Sequence, residues 1–210
     1  MPVIFNDNKP DNYNLGIWMI EEDYETLFTM INLNGDDCGT LSNFTNISRK
    51  VEWLSVRVLL KELIKKDTGI YYNNRRKPFL CDNSMNISIS HSHNVSSILL
   101  SRDHRVGIDL EYMSHRISKI APKFMHPGEY ITPVKKLQRF HLYIHWCAKE
   151  ALYKICDKNN IIFNKNLKIE PFEPYDNGVL TGNVIHDEQQ EEFKLNYFKF
   201  ENYIVVWCIK

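Results

Sequence analysis

The chain has 210 residues, 26 Lys and Arg against 26 Asp and Glu, 43% hydrophobic residues and 12% aromatics. At roughly 150 residues per domain, that length fits one large domain or two small ones, each able to bury a core without disulfide staples. The aromatic content excludes a disordered chain, the zero net charge gives no support for a general nucleic-acid binder, and no apolar run reaches the ~18 residues of a membrane span.

The N-terminal MPVIFNDNKP has no basic stretch followed by an apolar one, so no signal peptide is expected. The five cysteines (38, 81, 147, 156 and 208) are odd in number and scattered without a CxxC pair, which reads as reduced, mostly buried thiols in a cytoplasmic protein. A first helix is expected over Glu21–Ile31. A second begins at Ser48 as N-cap and runs to Lys66, with Val51, Leu54, Val58 and Leu59 on one face. Asn73-Asn74-Arg75-Arg76-Lys77-Pro78 must turn. Three short Ile/Val/Leu-rich runs follow, Asn86–Ser90, Val95–Ser101 and Arg105–Glu111, and their short polar connectors predict an antiparallel meander. Helices are expected over Arg116–Met125 and from Pro127 or Pro133 through Cys156. Strands are expected near Leu167–Phe172, Val179–Ile185, Phe193–Phe200 and Tyr203–Ile209. This order predicts an α+β chain of two halves, with the boundary near residues 102–108 and no long linker.

Asp109 and Glu111 are one residue apart on the third strand of the meander, so both carboxylates project from one face. In that meander they also lie beside the polar turn Ser90–Asn94. Two close acids repel unless a cation sits between them, and a hard cation such as Mg²⁺ fits; two solvated acids on an edge strand fit as well. On the long helix Phe140, Tyr143, Ile144, Cys147, Ala151 and Ile155 form an apolar stripe, and Trp146, Glu150 and Lys154 line up beside it. Glu150 and Lys154 make either an ordinary surface pair or the third carboxylate and the ammonium of a metal–phosphate site.

Val106-Gly107-Ile108-Asp109-Leu110-Glu111 followed by Trp146-Cys147-Ala148-Lys149-Glu150-Ala151-Leu152-Tyr153-Lys154 resembles the paired signatures of the 4′-phosphopantetheinyl transferases. Ser90-His91-Ser92 is similar to the family's Ser-His-Ser element and Lys77-Pro78 to its Gly-Lys-Pro, with Arg76 where the family commonly has Gly. The likeness runs from about Arg49 to Lys168. Chain length and the upstream elements point to the larger, pseudodimeric type. The resemblance implies two similar α+β halves in a pseudo-twofold arrangement, each an antiparallel sheet packed with helices. Residues 1–104 would supply nucleotide contacts, and residues 105–210 the metal-binding and catalytic motifs.

It further implies Mg²⁺-dependent transfer of the phosphopantetheine arm of coenzyme A to a serine of an apo acyl or peptidyl carrier protein by a monomer, without nucleic acid or membrane. Asp109, Glu111 and Glu150 match the metal ligands; Glu150 is also the candidate base, directly or through water, and Lys154 the partner of the pyrophosphate. Ser90 and His91 match positions that hold coenzyme A phosphates, and Arg49 and Lys77 match contacts to the 3′-phosphate and adenine. Lys149 belongs to the motif but projects to another helical face. Two other classes compete with this reading. His141 and His145 at i, i+4 suggest a zinc hydrolase, but no HExxH accompanies them. A non-catalytic coenzyme A or carrier-protein binding module would show a lost metal ligand, and all three acids are present.

Overall fold

The apolar residues collect into separate cores on either side of residue 104, and the chain divides into two units, Met1–His104 and Arg105–Lys210. The computed structural model describes residues 3–9, 13–156, 158, 160–187 and 189–210. Both units mix helices with antiparallel sheets, so the chain is α+β. No helix among the described residues is long and apolar enough to cross a membrane.

The first unit contains β1 (Val3–Lys9), β2 (Tyr13–Met19), α1 (Tyr24–Thr29), α2 (Gly35–Ser42), α3 (Ile47–Ile64), β3 (Ile70–Tyr72), β4 (Pro78–Leu80), β5 (Asn86–Ser92) and β6 (Val95–Ser101). Its main sheet has the order β1-β2-β6-β5, and β3 and β4 form a separate hairpin. Leu54, Val58 and Leu59 of α3 are buried with Trp18, Ile87, Ile98 and Leu100. The α3 N-terminus is capped by Asn46, whose Oδ1 accepts the Ser48 N–H at 2.8 Å, so the cap lies two residues before the expected one.

The second unit contains β7 (Val106–Tyr112), α4 (Ile117–Phe124), α5 (Lys135–Ile155), the short α6 (Phe163–Asn166), β8 (Leu167–Ile169), β9 (Asn177–His186), β10 (Gln189–Phe200) and β11 (Tyr203–Ile209). The sheet order is β7-β11-β10-β9-β8, antiparallel throughout. The apolar stripe of α5 is buried with Leu180, Val184, Leu195, Val206 and Cys208 of the sheet. Pro133 lies just outside the helix, whose N-cap is Val134, and so neither kinks nor enters it.

Three expectations change. The meander stops at its second strand: β5 pairs with β6, but the other edge of β6 is taken by β2, leaving no place for a third run. The run 105–111 forms β7 and pairs with β11, Asp109 opposite Val206 and Glu111 opposite Ile204. Asp109 and Glu111 therefore lie in the β7–β11 ladder and not in one meander with the Ser90–Asn94 turn. The first helix is shorter than Glu21–Ile31 because Asp23 caps it, its Oδ1 accepting the Thr26 N–H at 2.9 Å. Strands β1 and β2 and helix α2 are additional elements: β1, VIFNDNK, is mostly polar, and α2, GDDCGTLS, contains two glycines and a single large apolar residue, so neither carries a clear periodic signal.

Candidate active site

Strand β7 turns one face to α5, and its smallest residue sets how closely the two approach. A Cβ built on Gly107 would lie 2.2 Å from the Ala151 carbonyl oxygen and 3.0 Å from Ile155 Cβ, so only glycine fits. The next two residues on that face are Asp109 and Glu111, and each meets an α5 side chain. Lys154 Nζ lies 2.8 Å from Asp109 Oδ1 and donates to the Ile108 carbonyl at 2.9 Å. Trp146 Nε1 donates to Glu111 Oε1 at 3.2 Å. Glu150 stands between Trp146 and Lys154 on the same row of α5, one turn from each.

The field at Glu150 follows from this crowding. Burial, then the neighbouring Asp109, and to a lesser degree Glu111, push its carboxyl up to about 7, against the opposing pull of Lys154. The Cys147 thiol, buried in the same corner, is raised by burial and by the charges of Asp109 and Glu111. Thus the structure gathers Asp109, Glu111, Glu150 and Lys154 at one β7–α5 contact, with Trp146 and Cys147 as lining residues. Sequence patterning had put Cys147 in the core stripe, where it also belongs, because the stripe and the site share an edge.

Lys149 does something different. It is fully buried, and its Nζ donates to the carbonyls of Phe124 at 2.6 Å and Leu167 at 2.7 Å while lying 2.9 Å from Glu129 Oε1. Glu129 in turn accepts the Ile169 N–H at 2.8 Å and the His126 N–H at 2.7 Å. Burial pushes the Glu129 carboxyl up, but His145 and Lys149 outweigh it and hold the group below its ordinary value. This buried pair ties α4, the 126–129 turn and β8 to the helix that carries Glu150. Glu129 has no signal in sequence; its partner is twenty positions away and no motif joins them.

In the first unit, Arg49 and His91 meet around a residue not singled out from sequence. Glu52 Oε2 lies 2.5 Å from Arg49 Nη1, Glu52 Oε1 lies 2.5 Å from His91 Nε2, and Arg49 Nη1 is 3.1 Å from His91 Nε2. Glu52 could have been found as the i+3 partner of Arg49 on a helix. Ser90 is buried on β5, its carbonyl accepting from Ser97 Oγ at 3.1 Å. Lys77 leads into β4, its ammonium 6.0 Å from the centre of the Phe79 ring. Arg76, in the connecting loop, has φ 60°, the left-handed conformation that glycine adopts most readily. The Asn73 side chain supports the loop by accepting from the Arg75 and Lys77 N–H groups at 2.9 and 3.0 Å.

His141 and His145 are buried core residues. Thr132 N–H donates to His141 Nδ1 at 3.1 Å, His145 Nε2 is 3.2 Å from the Tyr130 carbonyl, and both rings pack on Phe172. Among the described residues no three His, Cys, Asp or Glu side chains are placed closely enough to hold a metal ion as they stand. The fit of a cation at β7–α5 therefore rests on donor chemistry. Asp109, Glu111 and Glu150 offer hard carboxylate oxygens; burial is the main push on Glu150, and the neighbouring Asp109 and Glu111 charges, opposed by Lys154, add to it.

Residues 105–208 match the family described as the 4′-phosphopantetheinyl transferase superfamily, so the matched segment holds the whole β7–α5 site. No curated protein matches the chain.

Proposed function

We propose, from the match of residues 105–208 to the 4′-phosphopantetheinyl transferase superfamily, that the chain moves the phosphopantetheine arm of coenzyme A onto a serine hydroxyl of an apo acyl or peptidyl carrier protein. The observation that carries this reading is the meeting of Asp109, Glu111, Glu150 and Lys154 at one β7–α5 contact inside the matched segment. The reaction forms a bond from the serine oxygen to the phosphorus that bears pantetheine. The P–O bond to the adenylate phosphate breaks, and its electron pair leaves with adenosine 3′,5′-bisphosphate.

Each residue has a task in that exchange. Glu150 would take the serine proton, directly or through a water. Lys154 offers an ammonium to the oxygens on which charge grows as the bond breaks. Asp109, Glu111 and Glu150 would hold Mg²⁺, which when bound neutralises the pyrophosphate and orients it. Arg49, Ser90, His91 and Lys77 would hold the nucleotide and its phosphates. The larger, pseudodimeric type with two related halves in one chain is part of the proposal, and with it a cytoplasmic enzyme that works as a monomer.

The test is direct. Purified protein with Mg²⁺ and coenzyme A is incubated with a panel of apo carrier proteins, and intact-mass spectrometry should show addition of phosphopantetheine to at least one. If an authentic transferase modifies the panel and this protein modifies none, the assignment fails.

A further inference from the structure

Arg49 stands in the first turn of α3, where a cation opposes the positive end of the helix dipole, and that turn holds no acidic residue. The compensating charge comes one turn later from Glu52. Its two carboxylate oxygens divide the available donors between them, Oε2 taking Arg49 Nη1 and Oε1 taking His91 Nε2, each at 2.5 Å. The carboxyl is half-buried and held below its ordinary value: burial pushes it up, and His91 and Arg49 outweigh that. Two oxygens of one anion bridging an arginine and a histidine that are 3.1 Å apart is the arrangement in which a phosphate monoester would be held.

We propose that Glu52 is a specificity-determining residue, an internal anion that fills the Arg49–His91 site and weakens its preference for a phosphate group. The inference rests on the reading of Arg49 and His91 as coenzyme A contacts, and deepens it. A phosphate that approaches this pair must displace the Glu52 carboxylate or share donors with it at the expense of like-charge repulsion. The charge of Arg49 is then already answered before the ligand arrives. The penalty falls on the phosphate that meets this pair, so a coenzyme A lacking its 3′-phosphate should bind almost as well as the complete molecule.

Calorimetric titration of the full chain with coenzyme A and with 3′-dephospho-coenzyme A tests this. The wild-type protein should prefer coenzyme A by less than about tenfold. Glu52→Gln and Glu52→Leu should each widen the ratio by about 5- to 10-fold, through tighter coenzyme A binding at unchanged affinity for the dephospho form. A ratio that stays the same in both variants overturns the proposal. So does weaker coenzyme A binding in both, because Glu52 would then be positioning the donors rather than competing for them. A second readout does not depend on coenzyme A: the His91 imidazole resonances, titrated with inorganic phosphate, should respond at about fivefold lower concentration in Glu52→Gln than in wild type. Equal responses overturn the proposal. Failure of both proteins to bind either nucleotide, with the phosphate responses still different, removes the coenzyme A reading and leaves the Glu52 inference in place.

Discussion

Replacing Gly107 by alanine puts a methyl carbon 2.2 Å from the Ala151 carbonyl oxygen. Carbon and oxygen rest at about 3.3 Å or more, so β7 and α5 must separate by roughly 1 Å. Neither side yields cheaply, since the obstacle is helix backbone and Gly107 is held in register opposite Cys208 on β11. Overpacking of this kind costs about 1–3 kcal/mol, and the upper end applies because no flexible side chain can move aside. The reduced freedom of the unfolded chain returns only about 0.4–1 kcal/mol of that. The same displacement carries Glu150 and Lys154 away from Asp109, opening the 2.8 Å contact at Lys154 Nζ. A misplacement of about 1 Å at reacting groups costs on the order of 100-fold in rate. Gly107→Ala should therefore lower the urea midpoint and cut carrier-protein modification about 100-fold even where the variant is fully folded. A variant with the wild-type midpoint and the wild-type rate would show that the tight β7–α5 approach does not hold the site together.

Lys154→Ala should depress kcat for transfer more than it raises KM for coenzyme A, and Lys154→Arg should recover only part of the loss, because a planar fork does not replace a compact ammonium; unchanged kcat in steady-state assays would remove Lys154 from the site. Lys149→Met leaves the buried Glu129 carboxylate without its ammonium partner and should cost about 3–5 kcal/mol by chemical denaturation, with much of the loss recovered in Lys149→Met/Glu129→Gln. Burial, with a smaller effect from His145, lowers the His141 pKa to about 4 in the folded protein. The unfolded chain, with an ordinary histidine near 6.5, then binds more protons between those values, so stability is complete above about pH 6.5 and falls as pH drops towards 4, by up to ~3 kcal/mol. The stability of wild type relative to His141→Phe should fall by about that amount from pH 7 to pH 4 in denaturation curves, and parallel curves would refute the linkage.

The parts of this architecture that are legible in sequence are those that depend on local periodicity. The apolar stripe of α5, the same-face placement of Asp109 and Glu111, and the row Trp146–Glu150–Lys154 all follow from helix and strand repeats of a few residues. What could not be read depends on partners far apart in the chain. β6 takes β2 rather than β7 as its second neighbour because residues 13–19 form a strand of their own, and nothing within β6 indicates which run will claim that edge. Glu129 finds Lys149 only after the 126–129 turn folds under α5. Arg76 lies between these cases: it precedes Lys77-Pro78 where the resemblance leads one to expect glycine, and its φ of 60° is the backbone conformation that glycine adopts most readily.

The pairing of β7 with β11 also has a bearing on how the second unit is made. Cys208 reaches back to the carbonyl of Gly107 across 101 positions, so the strand that carries Asp109 and Glu111 is synthesised long before its neighbour exists. Such distant pairing is slow, because the loop must close before any hydrogen bond forms. Until then β7 is an open-edged, largely apolar ribbon of the kind that recruits strands from other chains. Its two carboxylates are charges at the place where aggregation would begin. The acids read here as catalytic machinery would thus also serve the nascent chain, keeping an unpaired strand soluble while it waits for its partner.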